Sequence, residues 1–201
     1  MIVENIEYSE KYNLIRLSIS NEKFFVDYDL YYELNLEKDE ELDFDTYKII
    51  LANDEYNRAK NFALSKISYS QKSTYEIKKK LAEKKFSNEV IDKVVAFLDS
   101  YGFLDDAAYV KAFITDKDEI SKWSRNKISY MLKTKHVDDY LIEEYIGLVD
   151  DQREYEKASF FADKKIKDDF SFENRQKVFR HLAGKGFDID IINRVLDERF
   201  K

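Results

Sequence analysis

Cysteine is absent from the 201 residues, which excludes a disulfide framework and any metal site built on thiolates. Long hydrophobic runs are absent too: no stretch reaches the roughly 18 apolar residues that span a bilayer. The opening segment MIVENIEYSE has neither the basic nor the apolar section of a signal peptide. A soluble, cytoplasmic protein with no membrane partner is the expectation. Glycine is scarce, four in all, and two of the four lie in HLAGKGFDIDII, residues 181–192. The Lys between them imitates part of a phosphate-binding loop. A Walker-type loop needs a longer glycine-rich run after a strand and a Ser or Thr after its Lys, whereas AGKGF continues into Phe. An excess of positive charge is also missing, since the net charge is −7. Binding of free DNA through bulk charge is therefore not expected.

What is present argues for a folded chain. The hydrophobic content is 44%, with 15 Tyr and 15 Phe, and the length suffices for a real core in one or two domains. Charge is unevenly spread. Residues 1–56 hold 5 basic and 15 acidic side chains, a balance of −10. The remainder is mildly basic, and its first stretch, residues 57–99, carries 10 basic against 5 acidic side chains.

Periodicity divides the chain in the same place. Between residues 2 and 28 apolar residues alternate, Ile15, Leu17 and Ile19 on one strand face and Phe24, Val26 and Tyr28 on another, with the turn-like Ser20, Asn21 and Glu22 between. That pattern predicts a small antiparallel meander. Short helices are expected over 30–36 and 45–51, and almost continuous helix from Asn53 onward.

The helical part repeats. Leu81, Leu132 and Leu182 serve as anchors. Ile77, Ile128 and Val178 precede them by four residues, and Phe86, Val137 and Phe187 follow by five. Further on come Val90 and Ile91, Leu141 and Ile142, Ile191 and Ile192, and then Val94 and Val95, Tyr145 and Ile146, Val195 and Leu196. These spacings place the apolar positions on the inner faces of two helices joined by a tight turn. Ser87, Asp138 and Asp188 stand where each second helix begins, as N-caps, with Glu89, Asp139 and Asp190 in the first turn. The earlier helix of each pair starts near Ser73, Ser124 and Ser171, with Glu76 completing a capping box. A further helix precedes each pair, containing Ala59, Phe62, Ala63 and Ile67, or Tyr109, Val110, Phe113 and Ile114, or Ala158, Phe161, Ala162 and Ile166. The fold class is mainly α: tandem three-helix repeats in an elongated, curved array, behind a small β-meander with short helices. Expected boundaries are 1–52 for the β-containing part and 53–103, 104–150 and 151–201 for the repeats.

Several residues invite a chemical reading. Asp105 and Asp106, after YGFL, resemble a metal-binding pair but open a helix and are read as caps. His136 and His181 lack the clustered partners of a zinc site. Trp123, just before Ser124, is read as a packing staple rather than a base-stacking platform. No nucleophile, base and orienter stand out, so neither catalysis nor a cofactor or metal is expected. Gly186 shares its offset with Lys85 and His136, where a helix ends and a left-handed residue is convenient. Lys84, Lys135 and Lys185 recur three residues after the anchors. They either answer the negative end of a helix dipole or form a spaced row of cations facing acidic protein or phosphate. Arg125 and Arg175, Lys127 and Lys177 recur at equal offsets, and Lys78, Lys79 and Lys80 form a run.

YGFLDDAAYV (101–110) resembles the GxLDDxxFA-like signature of the RecX family, bacterial regulators of the RecA recombinase. STYEIKKKLAEKKFSNEVIDKVVAFL, SRNKISYMLKTKHVDDYLIEEYI and ENRQKVFRHLAGKGFDIDIINRVL resemble that family's first, second and third repeats. The likeness covers about residues 53–201, and the N-terminal β element occurs in some members. Lys85 and His136 depart from a frequent Gly at the turn, and Tyr109 from a usual Phe. The resemblance implies a non-enzymatic modulator, mostly an inhibitor. It would bind the RecA filament on single-stranded DNA and limit filament growth, ATPase and strand exchange in recombination, DNA repair and the SOS response. It would act as a monomer, with weak direct contact to DNA. The basic residues above are then candidate RecA- or DNA-facing groups. A helical-repeat adaptor for another protein partner is the alternative. The acidic head either packs on the first repeat or keeps the basic body off free DNA.

Overall fold

In the computed structural model, which describes residues 1–201, the alternating segment forms β1 (Val3–Ser9), β2 (Leu14–Ile19) and β3 (Glu22–Val26), an antiparallel meander in that order. Ser20 and Asn21 both take positive φ, 49° and 66°, the backbone of a two-residue hairpin turn whose twist matches its strands. Ile15 pairs with Val26 and Leu17 with Phe24, so the two apolar faces read from the sequence merge into one. That face builds a core with Val3, Ile19, Leu36, Leu42 and Ile50. Tyr28 is not part of it: it opens α1 (Tyr28–Glu33) and is exposed.

A larger correction concerns the helices expected over 45–51 and from residue 53. They are one helix, α2 (Phe44–Ile67), of 24 residues. It is started by Asp43, whose carboxylate accepts from the amides of Asp45 and Thr46. Asn53 and Asp54 imitate a helix start because their side chains favour caps. Here they turn sideways. The Asp54 carboxylate accepts from the Phe25 amide at 2.7 Å and Asn53 Oδ1 from the Asp27 amide at 2.9 Å. Asn57 donates to the Phe25 carbonyl and Arg58 to the Lys23 carbonyl. One face of α2 thus occupies the free edge of β3, residue by residue, where a neighbouring strand would otherwise pair. The opposite edge is covered as well, by backbone bonds from Val3 to Glu40 and from Asp39 to Val3. Residue 52, the expected end of the head, falls inside α2.

The second half of α2 then serves as the first helix of repeat 1. Ala59 and Ala63 are fully buried against α3 (Thr74–Glu83) and α4 (Asn88–Ser100). Small side chains there let the helices approach closely. Residues 1–104 form one compact unit and residues 105–201 a second.

The second unit contains repeats 2 and 3. Repeat 2 comprises α5 (Asp106–Thr115), a five-residue π-helix (Asp116–Ile120), α6 (Arg125–Thr134) and α7 (Asp139–Ile146). Repeat 3 comprises α8 (Asp151–Ile166), α9 (Phe172–Gly184) and α10 (Ile189–Arg199). The anchors Leu81, Leu132 and Leu182 are completely buried, and none of the aligned apolar positions is exposed. Ser73 makes a full capping box with Glu76. Ser87, Asp105, Ser124, Asp138 and Ser171 each accept from a first-turn amide. Asp188 is the exception. Its side chain makes no cap bond and accepts instead from Asn126 Nδ2 at 2.7 Å.

Candidate partner-facing surface and the joints that position it

Helix termini place the recurring lysines. Lys84, Lys135 and Lys185 occupy the C-cap positions of α3, α6 and α9. The next residues, Lys85, His136 and Gly186, take φ of 64°, 51° and 86°, so the left-handed corner expected from the offset occurs in every repeat. At each corner the Lys also meets a ring of the preceding helix. Lys84 lies 5.7 Å from the Phe62 centroid, Lys135 5.7 Å from Phe113 and Lys185 4.0 Å from Phe161. Such cation–ring contacts restrain the ammonium group without neutralising it. The helix-ending reading of these residues holds, since each is the C-cap of its helix.

The other basic positions differ in their surroundings. Arg125 bonds Asp151 at 2.6 Å and the Val149 carbonyl, and Arg175 bonds Asp197 at 2.6 Å. Lys78 reaches Asp92 at 3.2 Å. Lys79 and Lys177 are exposed and Lys80 is half-buried. Consecutive helical residues point about 100° apart, so Lys78, Lys79 and Lys80 fan out rather than form one patch. Exposed Lys127 lies 4.1 Å from the centre of the Trp123 ring. Trp123 itself is half-buried against the core of repeat 2 and edge-on to Phe113, which is the staple position. His181, inside α9, is held below the ordinary imidazole pKa by burial and then by Lys185 and Lys165.

The joint between repeats 2 and 3 is built on buried charge. Lys157 of α8 is buried and its ammonium group binds Asp118 at 2.5 Å, the Trp123 carbonyl at 2.8 Å and the Glu154 carboxylate. Arg153 holds the other Asp118 oxygen at 2.6 Å. Asp118 reaches this position from the π-helix, whose wider turn redirects a side chain that a regular helix would present elsewhere. A signal existed: Glu154, Lys157, Ala158, Phe161 and Ala162 share one helical stripe, so two charges sit on the apolar face. Nearby, Ser124 Oγ donates to the Lys185 carbonyl at 2.8 Å. A Cβ on Gly186 would meet that same Oγ at 2.8 Å. The third corner needs Gly because repeat 2 presses on it.

What the fold defines is a protein of three tandem three-helix domains with a small sheet seated on the first. Family models for the first, second and third three-helix domains of RecX match residues 59–98, 105–146 and 151–196. Regulatory protein RecX of Clostridioides difficile (strain 630) is 32% identical over 98% of this chain and 95% of its own length. That of Clostridium acetobutylicum is 32% identical over 95% and 92%. The chain belongs to the RecX family of regulatory proteins. A crystal structure of regulatory protein RecX superposes over 98% of both chains with a TM-score of 0.79 at 21% identity. RecX from Lactobacillus salivarius covers 72% of this chain and 96% of its own, with a TM-score of 0.67. These two likenesses bear on the fold alone. No helix is long and apolar enough to cross a membrane.

Proposed function

We propose that this chain is a cytoplasmic, non-catalytic regulator of RecA. It binds the RecA filament on single-stranded DNA as a monomer and limits filament growth, ATPase and strand exchange during recombination and DNA repair. The observation that carries this reading is the corner repeated three times, with Lys84, Lys135 and Lys185 each restrained beside a ring of its own domain. A filament offers the same surface at every subunit, so related corners on successive domains engage it with avidity from several weak contacts. Lys79, Lys80, Lys127 and Lys177, together with the paired Lys78, Arg125 and Arg175, supply flanking charge to acidic protein surface or phosphate.

The test adds the purified chain to RecA assembled on single-stranded DNA and follows ATP hydrolysis and filament length. Stoichiometric protein should slow hydrolysis and shorten filaments. The triple variant K84E/K135E/K185E, with its helical circular dichroism intact, should do so much less. No effect of the unmodified chain would favour a helical-repeat adaptor for another protein. An undiminished effect of the triple variant would remove the corners from the interface.

A further inference from the structure

We propose that the cleft between the sheet and α2 binds a nucleotide, a planar heteroaromatic base carrying phosphate. Arg58, Asn61, Phe62 and Ser65 line one wall, at the spacing of a single helix face. Tyr12 and Phe25, packed edge to face at 5.1 Å, line the other. The cleft is open to solvent and has a volume of about 410 Å³, within the range of about 300 to 1,000 Å³ that small-ligand sites occupy.

The lining has the two chemistries a nucleotide requires. Rings on opposite walls offer stacking faces, and the Asn61 amide supplies both a donor and an acceptor to a base edge. Cations gather at the same rings: Lys11 lies 4.9 Å from the Tyr12 centroid, and Lys66 and Lys84 lie 4.9 and 5.7 Å from Phe62. Arg58 is held in place by Asp54 at 2.7 Å and by the Lys23 carbonyl at 2.7 Å, yet half of its side chain stays exposed. A guanidinium fixed before binding loses little freedom when it meets phosphate. Asp54, the carboxylate nearest it, is buried and already accepts from the Phe25 amide, so it does not confront the ligand.

A free nucleotide and one nucleotide unit of a single strand share this chemistry. Calorimetry of the full chain without RecA, using ATP, a short oligodeoxythymidylate and inorganic pyrophosphate in separate titrations, tells them apart. Saturable binding of ATP is expected if the ligand is free, and of the oligonucleotide alone if it belongs to a strand. Tyr12→Ala and Asn61→Leu should each weaken binding about tenfold, the loss of one stacking or base-edge contact. Ser65→Phe, at an exposed position, should block the cleft with the melting temperature unchanged, and it decides the matter should either other variant unfold. Absence of binding by both nucleotides, equal binding of pyrophosphate, or affinity indifferent to Ser65→Phe would overturn the proposal. None of these results bears on regulation of RecA.

Discussion

The two joints inside this chain, sheet to α2 and repeat 2 to repeat 3, use polar groups in different ways. At the first joint, Asn53, Asp54, Asn57 and Arg58 bond main-chain groups of an edge strand. At the second, Lys157 bonds Asp118 and Glu154, the three side chains being only 4%, 7% and 1% exposed. An edge strand that loses a side-chain partner regains water. An ion that loses its counter-ion in a closed interior does not, and the full desolvation penalty remains. The two joints therefore respond differently to the loss of a single side chain, and the second is the more brittle.

Lys157→Met is the most severe way to break that contrast. It leaves two buried carboxylates with Arg153 as the remaining basic side chain at Asp118, and a loss of about 3 to 5 kcal/mol follows. Amide hydrogen exchange should accelerate throughout residues 105–201 while the protection of β1 to β3 is kept. Equal acceleration in the sheet would show that the two compact units unfold as one. Replacing Asp118 and Glu154 by Leu in the same chain should recover most of the loss, because an apolar cluster of similar volume often matches a buried ion set.

Gly186→Ala tests the same joint at its backbone. The variant meets both an unfavourable positive φ and the Ser124 Oγ, so a loss of about 1 to 3 kcal/mol is expected in a thermal melt. Gly substituted for Lys85 or His136, at the matching corners, should be neutral or stabilising in its φ contribution. A Gly186→Ala protein as stable as its parent would remove the contact between repeats from the explanation.

Asp54→Ala probes the first joint. It frees the Phe25 amide and releases Arg58, at a cost of about 1 to 2 kcal/mol. Exchange should rise at Phe25 and its neighbours in β3, with repeats 2 and 3 unchanged. A loss as large as that of Lys157→Met would erase the distinction between an edge and an interior.

The architecture was legible where the pattern is local. Apolar spacing around Leu81, Leu132 and Leu182 located the helix pairs, and Ser73, Ser87 and Ser124 marked their starts, because caps are read from one residue and its own backbone. The misreadings lie where a side chain serves a distant partner. The break expected between residues 51 and 53 falls inside one helix, where Asn53 and Asp54 are used by the β3 edge. Asp188 has the position of a cap and is used by Asn126. The stripe of Glu154 and Lys157 was visible, but their partner Asp118 depends on a π-helix that no local pattern announces. Among the basic residues, recurrence identified the three corners, whereas the pairing of Arg125 with Asp151 and of Arg175 with Asp197 required the helices to be in place.

The finest contrast is between Asp138 and Asp188, which occupy equal positions in repeats 2 and 3. Asp138 accepts from the Tyr140 amide at 2.8 Å, so Asp138→Ala should cost about 1 kcal/mol, the usual value of a cap. Asp188 is turned to Asn126 across the joint, and its helix start relies on backbone alone. The two variants Asn126→Ala and Asp188→Ala should consequently be non-additive by about 0.5 kcal/mol in a double-mutant cycle, whereas Asn126→Ala and Asp138→Ala should simply add. Additivity in both cycles would mean that Asp188 caps α10 in solution after all. The repeat-to-repeat contact would then rest on Lys157, Arg153, Arg125, Ser124 and Gly186 without it.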